Sequence, residues 1–241
     1  MTGEPKLRGA GSALIAVFAK APRPGLVKTR MSPPLSPEQA AALYRAMLDD
    51  VLATTAQLAR RRGIDAVVCC YPEDSCREIA QWAPQQFRVV AQRGRDLATR
   101  MSRAVDEAAA GGANRILLRG SDSPAMRSEQ IEEALESLEE CDVVVCPDAD
   151  GGYGLVGLRG PAPGLFDHPM STDSVLRDTL ANAEALGLMV RTTSGSFDLD
   201  TAADLARLAR ARESGDMEHC PRTFAYLDDH DLWRFAAREG T

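Results

Sequence analysis

Four short polar segments hold the residues that could do chemistry in this 241-residue chain. The first, Lys20-Ala21-Pro22-Arg23-Pro24-Gly25-Leu26-Val27-Lys28-Thr29-Arg30, sets four basic side chains in a loop with Pro and Gly and no acid. Gly25 permits a tight backbone path, Lys28 offers a point charge and Arg30 a planar fork of donors, a combination suited to a compact anion such as phosphate. The GK[ST] order of a P-loop is absent. The other three segments are acidic: Gly120-Ser121-Asp122-Ser123-Pro124, Pro147-Asp148-Ala149-Asp150-Gly151-Gly152-Tyr153-Gly154 and Asp198-Leu199-Asp200-Thr201. Each has an ordinary explanation by itself. Asp and Ser before Pro start turns, Asp-Gly between apolar runs makes a hairpin, and Thr201 with Asp204 caps a helix. Together, Asp122, Asp148, Asp150, Asp198 and Asp200 gather more negative charge beside an apolar core than is tolerated without a cation. Oxygen ligation by one or two carboxylates plus substrate phosphates is the pattern of Mg²⁺ or Mn²⁺, so the expectation is a metal-assisted transferase acting on a nucleotide.

Such loops need a scaffold that brings them together. Residues 12–19 form an apolar, β-branched run bounded by Gly and Pro signals, which reads as a buried strand. Ser36-Pro37-Glu38-Gln39 has the arrangement of a capping box and predicts a helix to about residue 61. Strands then alternate with helices: strand 64–71, helix 75–82, strand 87–91, helix 96–110 capped by Asp96, strand 114–118, helix 128–138 and strands 142–146 and 153–158. A helix after Thr172, a strand over 188–193, a helix from Thr201 and a short helix near 229–238 complete the pattern. This alternation predicts an α/β fold, a three-layer α/β/α sandwich with a mainly parallel sheet. Ligands of such sheets bind at the carboxyl ends of strands, where all four polar segments fall. The expected organisation is an N-terminal extension over 1–11, one nucleotide-binding transferase domain over 12–212, and a net-acidic tail over 213–241.

Composition removes several function classes. Hydrophobic residues are 44% and charged residues 26% of the chain, ordinary for a globular domain with a full core. No apolar run approaches the roughly 20 residues of a membrane span, and the run over 13–19 ends at Lys20, short for a secretion signal. The net charge of −7 would repel a nucleic-acid backbone, although the segment from Pro5 to Pro37 holds six bases (Lys6, Arg8, Lys20, Arg23, Lys28, Arg30) and no acid. Cys69, Cys70, Cys76, Cys141, Cys146 and Cys220 show no CxxC pairing and read as free thiols of a reducing, cytoplasmic protein. His168, His219 and His230 lack the spacing of a zinc site and do not support a Ser-His-Asp hydrolase.

The motifs Phe18-Ala19-Lys20-Ala21-Pro22, Lys28-Thr29-Arg30, Gly120-Ser121-Asp122-Ser123-Pro124, Asp150-Gly151-Gly152-Tyr153, Ser171-Thr172 and Asp198-Leu199-Asp200-Thr201 resemble those of the DUF2064 family over about residues 12–210. That family is of the GT-A nucleotide-diphospho-sugar transferase type, and the Lys-Thr-Arg loop is also similar to that of phospholactate guanylyltransferases. The resemblance implies that Lys28 and Arg30 contact donor phosphates, that Asp122 is the metal-site carboxylate and that Asp200 assists it. Lys20, Arg23, Gly25, Gln92, Gly151 and Gly152 complete the candidate nucleotide-binding set, with Asp150 as candidate base. Arg95 and Ala98 stand where the family usually has glycines, and Met170 where it commonly has Trp. The leading expectation is glycosyl transfer from a nucleotide-diphospho-sugar to a small-molecule acceptor. The alternatives are nucleotidyl transfer from an NTP to a phosphate monoester or phosphonate with pyrophosphate release, and a nucleotide-binding regulator without turnover. The oligomeric state is left open.

Overall fold

β1 (Ser12–Lys20) runs through the middle of the sheet, with Leu14 and Ala16 buried on one face and Ile15 and Val17 on the other. Such two-sided burial is what a continuous apolar run becomes in a parallel sheet. The computed structural model describes residues 12–170, 172–213 and 219–236. The expected extension over 1–11, with Lys6 and Arg8, and Ser171 lie outside the described residues, as do 214–218 and 237–241 of the expected tail.

Six more strands flank β1: β2 (Asp65–Tyr71), β3 (Phe87–Ala91), β4 (Ala113–Gly120), β5 (Val143–Pro147), β6 (Tyr153–Leu158) and β7 (Val190–Thr192). The sheet order is β3-β2-β1-β4-β6-β5-β7, parallel throughout except for β6, which is antiparallel to β4 and β5. One face packs on α3 (Leu97–Ala110) and α5 (Val175–Ala185) through Met101, Val105 and Ala183. The other packs on α1 (Pro37–Arg62), α2 (Cys76–Trp82) and α4 (Ser128–Ser137) through Leu48, Leu52, Ile79, Ile131 and Leu135. The three-layer α/β/α arrangement expected from the strand–helix alternation is present.

Local signals explain the element ends. The Ser36 hydroxyl accepts from Gln39 N at 3.2 Å while the Gln39 carboxamide accepts from Ser36 N at 2.9 Å, and Gly63 closes α1 at φ 65°. Asp96 caps α3 by accepting from Thr99 N at 2.8 Å. Three expectations are corrected. The helix expected from Thr201 begins at Asp204 as α6 (Asp204–Glu213), because the Asp204 carboxylate turns back to accept from the backbone N of Asp200 and Thr201. The terminal helix lies earlier than 229–238, as α7 (Pro221–Asp229) followed by a 3-10 turn over Leu232–Phe235. Not all six cysteines are free: the turn over 72–75 folds the start of α2 against the end of β2, and Cys70 and Cys76 form a disulfide. Cys69, Cys141 and Cys146 are buried thiols.

Asp50 of α1 explains the position of α7. Its buried carboxylate accepts from Arg222 N at 3.1 Å, Thr223 N at 2.7 Å and the Thr223 hydroxyl at 2.8 Å, capping α7 from 172 residues away. Phe224, Leu227 and Leu232 then share a core with Leu43 and Met47 of α1 and Leu205 and Leu208 of α6. Replacing Asp50 with Ala leaves these three donors without their acceptor, so Asp50→Ala should lower the unfolding free energy by about 2–4 kcal/mol in a urea titration. A loss under about 1 kcal/mol would show that the apolar contacts alone dock the helix.

Candidate active site

The basic loop leaves β1 and is tied down at both ends. Ala21 N donates to Tyr71 O at 2.9 Å, and Met31, fully buried against α1 and α6, anchors the far side. Between them Lys28 adopts φ 48°, ψ 37°, a left-handed conformation that a non-glycine residue takes at some cost. The result is a side chain only 3% exposed, with its ammonium ion-paired to both Asp122 and Asp200, the latter at 2.6 Å. Burial by itself disfavours the charged form, but the charges of Asp122 and Asp200 and their hydrogen bonds outweigh burial and hold the ammonium above its ordinary range.

The segment after β4 forms a turn, and each of its side chains also ties another element. Ser121 hydrogen-bonds the Tyr44 hydroxyl at 2.9 Å, which also accepts from Lys20 N at 2.9 Å, so α1 and both loops meet at one phenol. Burial, then the Asp122 charge, push that phenol up to about 12. The Ser123 hydroxyl donates to Asp198 at 2.5 Å, and Leu199 N donates to Asp122 O at 2.9 Å. The Asp148–Gly152 stretch is the hairpin turn between β5 and β6, with Asp150 accepting from Gly152 N at 3.1 Å. Gly151, at φ 91°, lies so close to Asp173 that a Cβ there would stand 2.2 Å from its carbonyl oxygen. A Cβ on Gly154 would meet the Ser123 hydroxyl at 2.5 Å.

These ties bring the acidic residues together. One carboxylate oxygen from each of Asp150, Asp198 and Asp200 lies within 4.8 Å of the others. Asp148 is 7% exposed, and neither of its oxygens has a hydrogen-bond partner as a carboxylate among the described residues. Burial first, then the charges of Asp198 and Asp150, push its carboxyl far up, so that once protonated it can donate to Asp198. Burial and Asp122 push Asp198 up as well. Oxygen donors gathered this closely, with an orphaned carboxylate behind them, fit a hard divalent cation.

The cluster borders a cleft of about 820 Å³ that Lys20, Lys28, Arg30, Gln92, Asp122, Asp150, Gly152 and Asp200 help to line. Arg30 is 71% exposed, 4.0 Å from Asp200. Gln92 donates to Cys69 O at 2.7 Å. The cleft wall does not include Arg23, Gly25 or Gly151. Arg23, expected to bind nucleotide, is paired with Asp74 at 3.2 Å and Glu78 at 3.5 Å, and Gly25 and Gly151 serve turns. Asp122, expected as the metal carboxylate, lies outside the group of three and faces Lys28. Sequence reasoning did not single out Tyr44, Ser123, Gly154, Tyr71 or Arg100. The Arg100 guanidinium stacks 4.3 Å over the Tyr71 ring on the far wall, with its Nε unpartnered. Of the residues not singled out, Ser123 and Gly154 lie within the acidic segments that the sequence marks out, whereas Tyr44, Tyr71 and Arg100 lie outside all four polar segments.

A family model described as an uncharacterized protein conserved in bacteria, DUF2064, matches residues 54–172. A phosphoenolpyruvate guanylyltransferase from Sphaerobacter thermophilus is 30% identical over 186 residues, covering 76% of this chain and 86% of the relative. The chain belongs to the DUF2064 family. A 2-phospho-L-lactate guanylyltransferase from Methanothermobacter thermautotrophicus is 29% identical over 185 residues, 75% of this chain and 78% of its own. A Desulfovibrio desulfuricans structure described as a nucleotide-diphospho-sugar transferase superposes with a TM-score of 0.85 at 32% identity, covering 94% of this chain and 98% of its own. The fold is accordingly that of the nucleotide-diphospho-sugar transferases, GT-A-like as the resemblance implied, and the chain is a transferase of the nucleotide-using kind. No helix among the described residues is long and apolar enough to cross a membrane.

The raised carboxyls set a pH dependence. An unfolded Asp titrates near its ordinary value of about 3.9, whereas folded Asp148 and Asp198 hold protons well above it. Their contribution to stability is therefore complete below the ordinary carboxylate range and is lost as pH rises toward the folded values. In metal-free buffer Tm should fall between about pH 5 and pH 8, and Asp148→Asn should flatten that slope and raise Tm at pH 8 by roughly 2–4 °C. A variant with the wild-type slope would show that the burial of this charge is relieved elsewhere.

Proposed function

We propose that this protein is a nucleotidyltransferase that joins a nucleoside triphosphate, guanosine triphosphate in the first instance, to a small phosphate-bearing acid with release of pyrophosphate. The observation that carries the reading is the number of cations along one cleft: Lys20, Lys28, Arg30 and Arg100. A nucleotide-sugar donor brings one diphosphate, whereas nucleotidyl transfer brings a triphosphate and a second anion, and four cations suit the larger charge. The guanylyl transfer for which the two relatives are named supports the same choice.

In this reading an acceptor phosphate oxygen attacks the α-phosphorus, the bond from that phosphorus to the β-phosphate oxygen breaks, and pyrophosphate leaves. An acceptor phosphate is already an anion at neutral pH, so no general base is needed. Asp150, expected as a base for a sugar acceptor, is free to be a ligand. Asp150, Asp198 and Asp200 would hold Mg²⁺ or Mn²⁺, with Asp148 behind them, and the ion would supply positive charge to the phosphate oxygens. Lys28 and Arg30 neutralise the polyphosphate, and the Tyr71 and Leu97 side chains give the cleft an apolar flank against which a base can lie. The Desulfovibrio structure's description favours a second reading, glycosyl transfer from a nucleotide-diphospho-sugar.

The products separate the two. With Mg²⁺ or Mn²⁺, GTP and phosphoenolpyruvate or 2-phospholactate, pyrophosphate should accumulate, and Asp200→Asn should lower kcat by about 100-fold or more. Nucleoside diphosphate formed from a nucleotide sugar, with no pyrophosphate from any NTP, would overturn nucleotidyl transfer in favour of the glycosyl reading.

A further inference from the structure

Asp200 is claimed twice. One of its oxygens belongs to the three-carboxylate group with Asp150 and Asp198, yet the same side chain is paired at 2.6 Å with the Lys28 ammonium, which also pairs with Asp122. A divalent ion bound there would stand beside a fixed positive charge and share a ligand with it. The ammonium cannot drift out of the way at no cost. Its side chain is 3% exposed, its backbone is held in the left-handed region, and Met31 three residues on is locked in the core. Behind the cluster, the buried oxygens of Asp148 have no hydrogen-bond partner among the described residues, so the acidic group is not fully satisfied by the one ammonium.

Resting on the metal-assisted reading above, we propose that Lys28 is a tethered counter-cation that competes with the divalent ion for Asp200 and yields when a polyphosphate arrives. Lys28 lines the cleft, so phosphate oxygens entering it can accept the N–H bonds that the two carboxylates now take. Transfer of the ammonium from carboxylate to phosphate frees Asp200 for the ion. Metal and nucleotide then strengthen each other's binding, by reciprocal amounts. Lys28 is thus a positioning residue for the metal as well as a phosphate contact, and the free protein binds metal weakly until nucleotide is present.

The test is Mn²⁺ binding to the nucleotide-free protein, read from the free-ion electron paramagnetic resonance signal. Lys28→Gln should bind Mn²⁺ about 10-fold more tightly than the wild type, whereas Lys28→Arg, which keeps the charge, should stay weak. A non-hydrolysable GTP analogue should tighten Mn²⁺ binding to the wild type and do so about 10-fold less in Lys28→Gln. Unchanged or weaker Mn²⁺ binding in Lys28→Gln overturns the inference while leaving the proposed reaction standing. Saturable Mn²⁺ binding in none of the three chains, with or without nucleotide, overturns the metal-assisted reading itself. A second measurement needs no variant: acetylation of Lys28 in the wild type, followed by mass spectrometry, should speed up several-fold with saturating Mg²⁺, and an unchanged rate overturns the inference.

Discussion

A single buried ammonium stands against the negative charge collected at one edge of the sheet, and the arrangement of the site follows from where it is held. Asp122 comes from the turn after β4, Asp148 and Asp150 from the hairpin after β5, and Asp198 and Asp200 from the segment after β7. Strand direction brings these segments to a common edge, but direction alone leaves carboxylates repelling one another in a half-dry cleft. Lys28 offsets that repulsion, and it does so from a loop that must be curled into a left-handed turn and fastened at Tyr71 and Met31. The basic and acidic segments are therefore two halves of one electrostatic object.

The reversed strand β6 serves the same object. Because it runs antiparallel between β4 and β5, the β5–β6 connection shrinks to a tight turn instead of a helical crossover, and that turn carries two carboxylates directly beside the end of β4. Closeness then forbids side chains. Gly154 lies where a methyl group would strike the Ser123 hydroxyl, and that hydroxyl is the donor that orients Asp198.

The framework was largely readable from residue order. The apolar run at 12–19, the Ser36–Gln39 cap and the Asp96 cap act through neighbours within four positions, so they survive without tertiary information. The gathering of acids at strand ends was readable as well, because it follows from the direction of the strands. What escaped depends on partners far away in the chain. Nothing in the residues near Tyr44 marks it as the post to which Lys20 and Ser121 are tied, since it occupies an ordinary core position of a long helix. Asp148 and Asp150 look alike in sequence, yet one is buried without partners while the other accepts from its own turn. Arg23 reads as a phosphate ligand among its basic neighbours until Asp74 and Glu78 come alongside it. The start of α7 was missed because its cap, Asp50, sits on another helix.

The span between Lys28 and Asp200 has a consequence for how the molecule comes into being. The two residues that meet in the cleft are 172 positions apart, as are Asp50 and the first turn of α7. On the ribosome the basic loop emerges first, and Asp122 reaches Lys28 well before Asp200 has been made. No nascent fragment that stops short of Asp200 has both the lysine and that carboxylate, so the cleft stays incomplete until this segment has emerged, and the growing chain has no early stage at which it could grip a nucleotide in the way the finished molecule does.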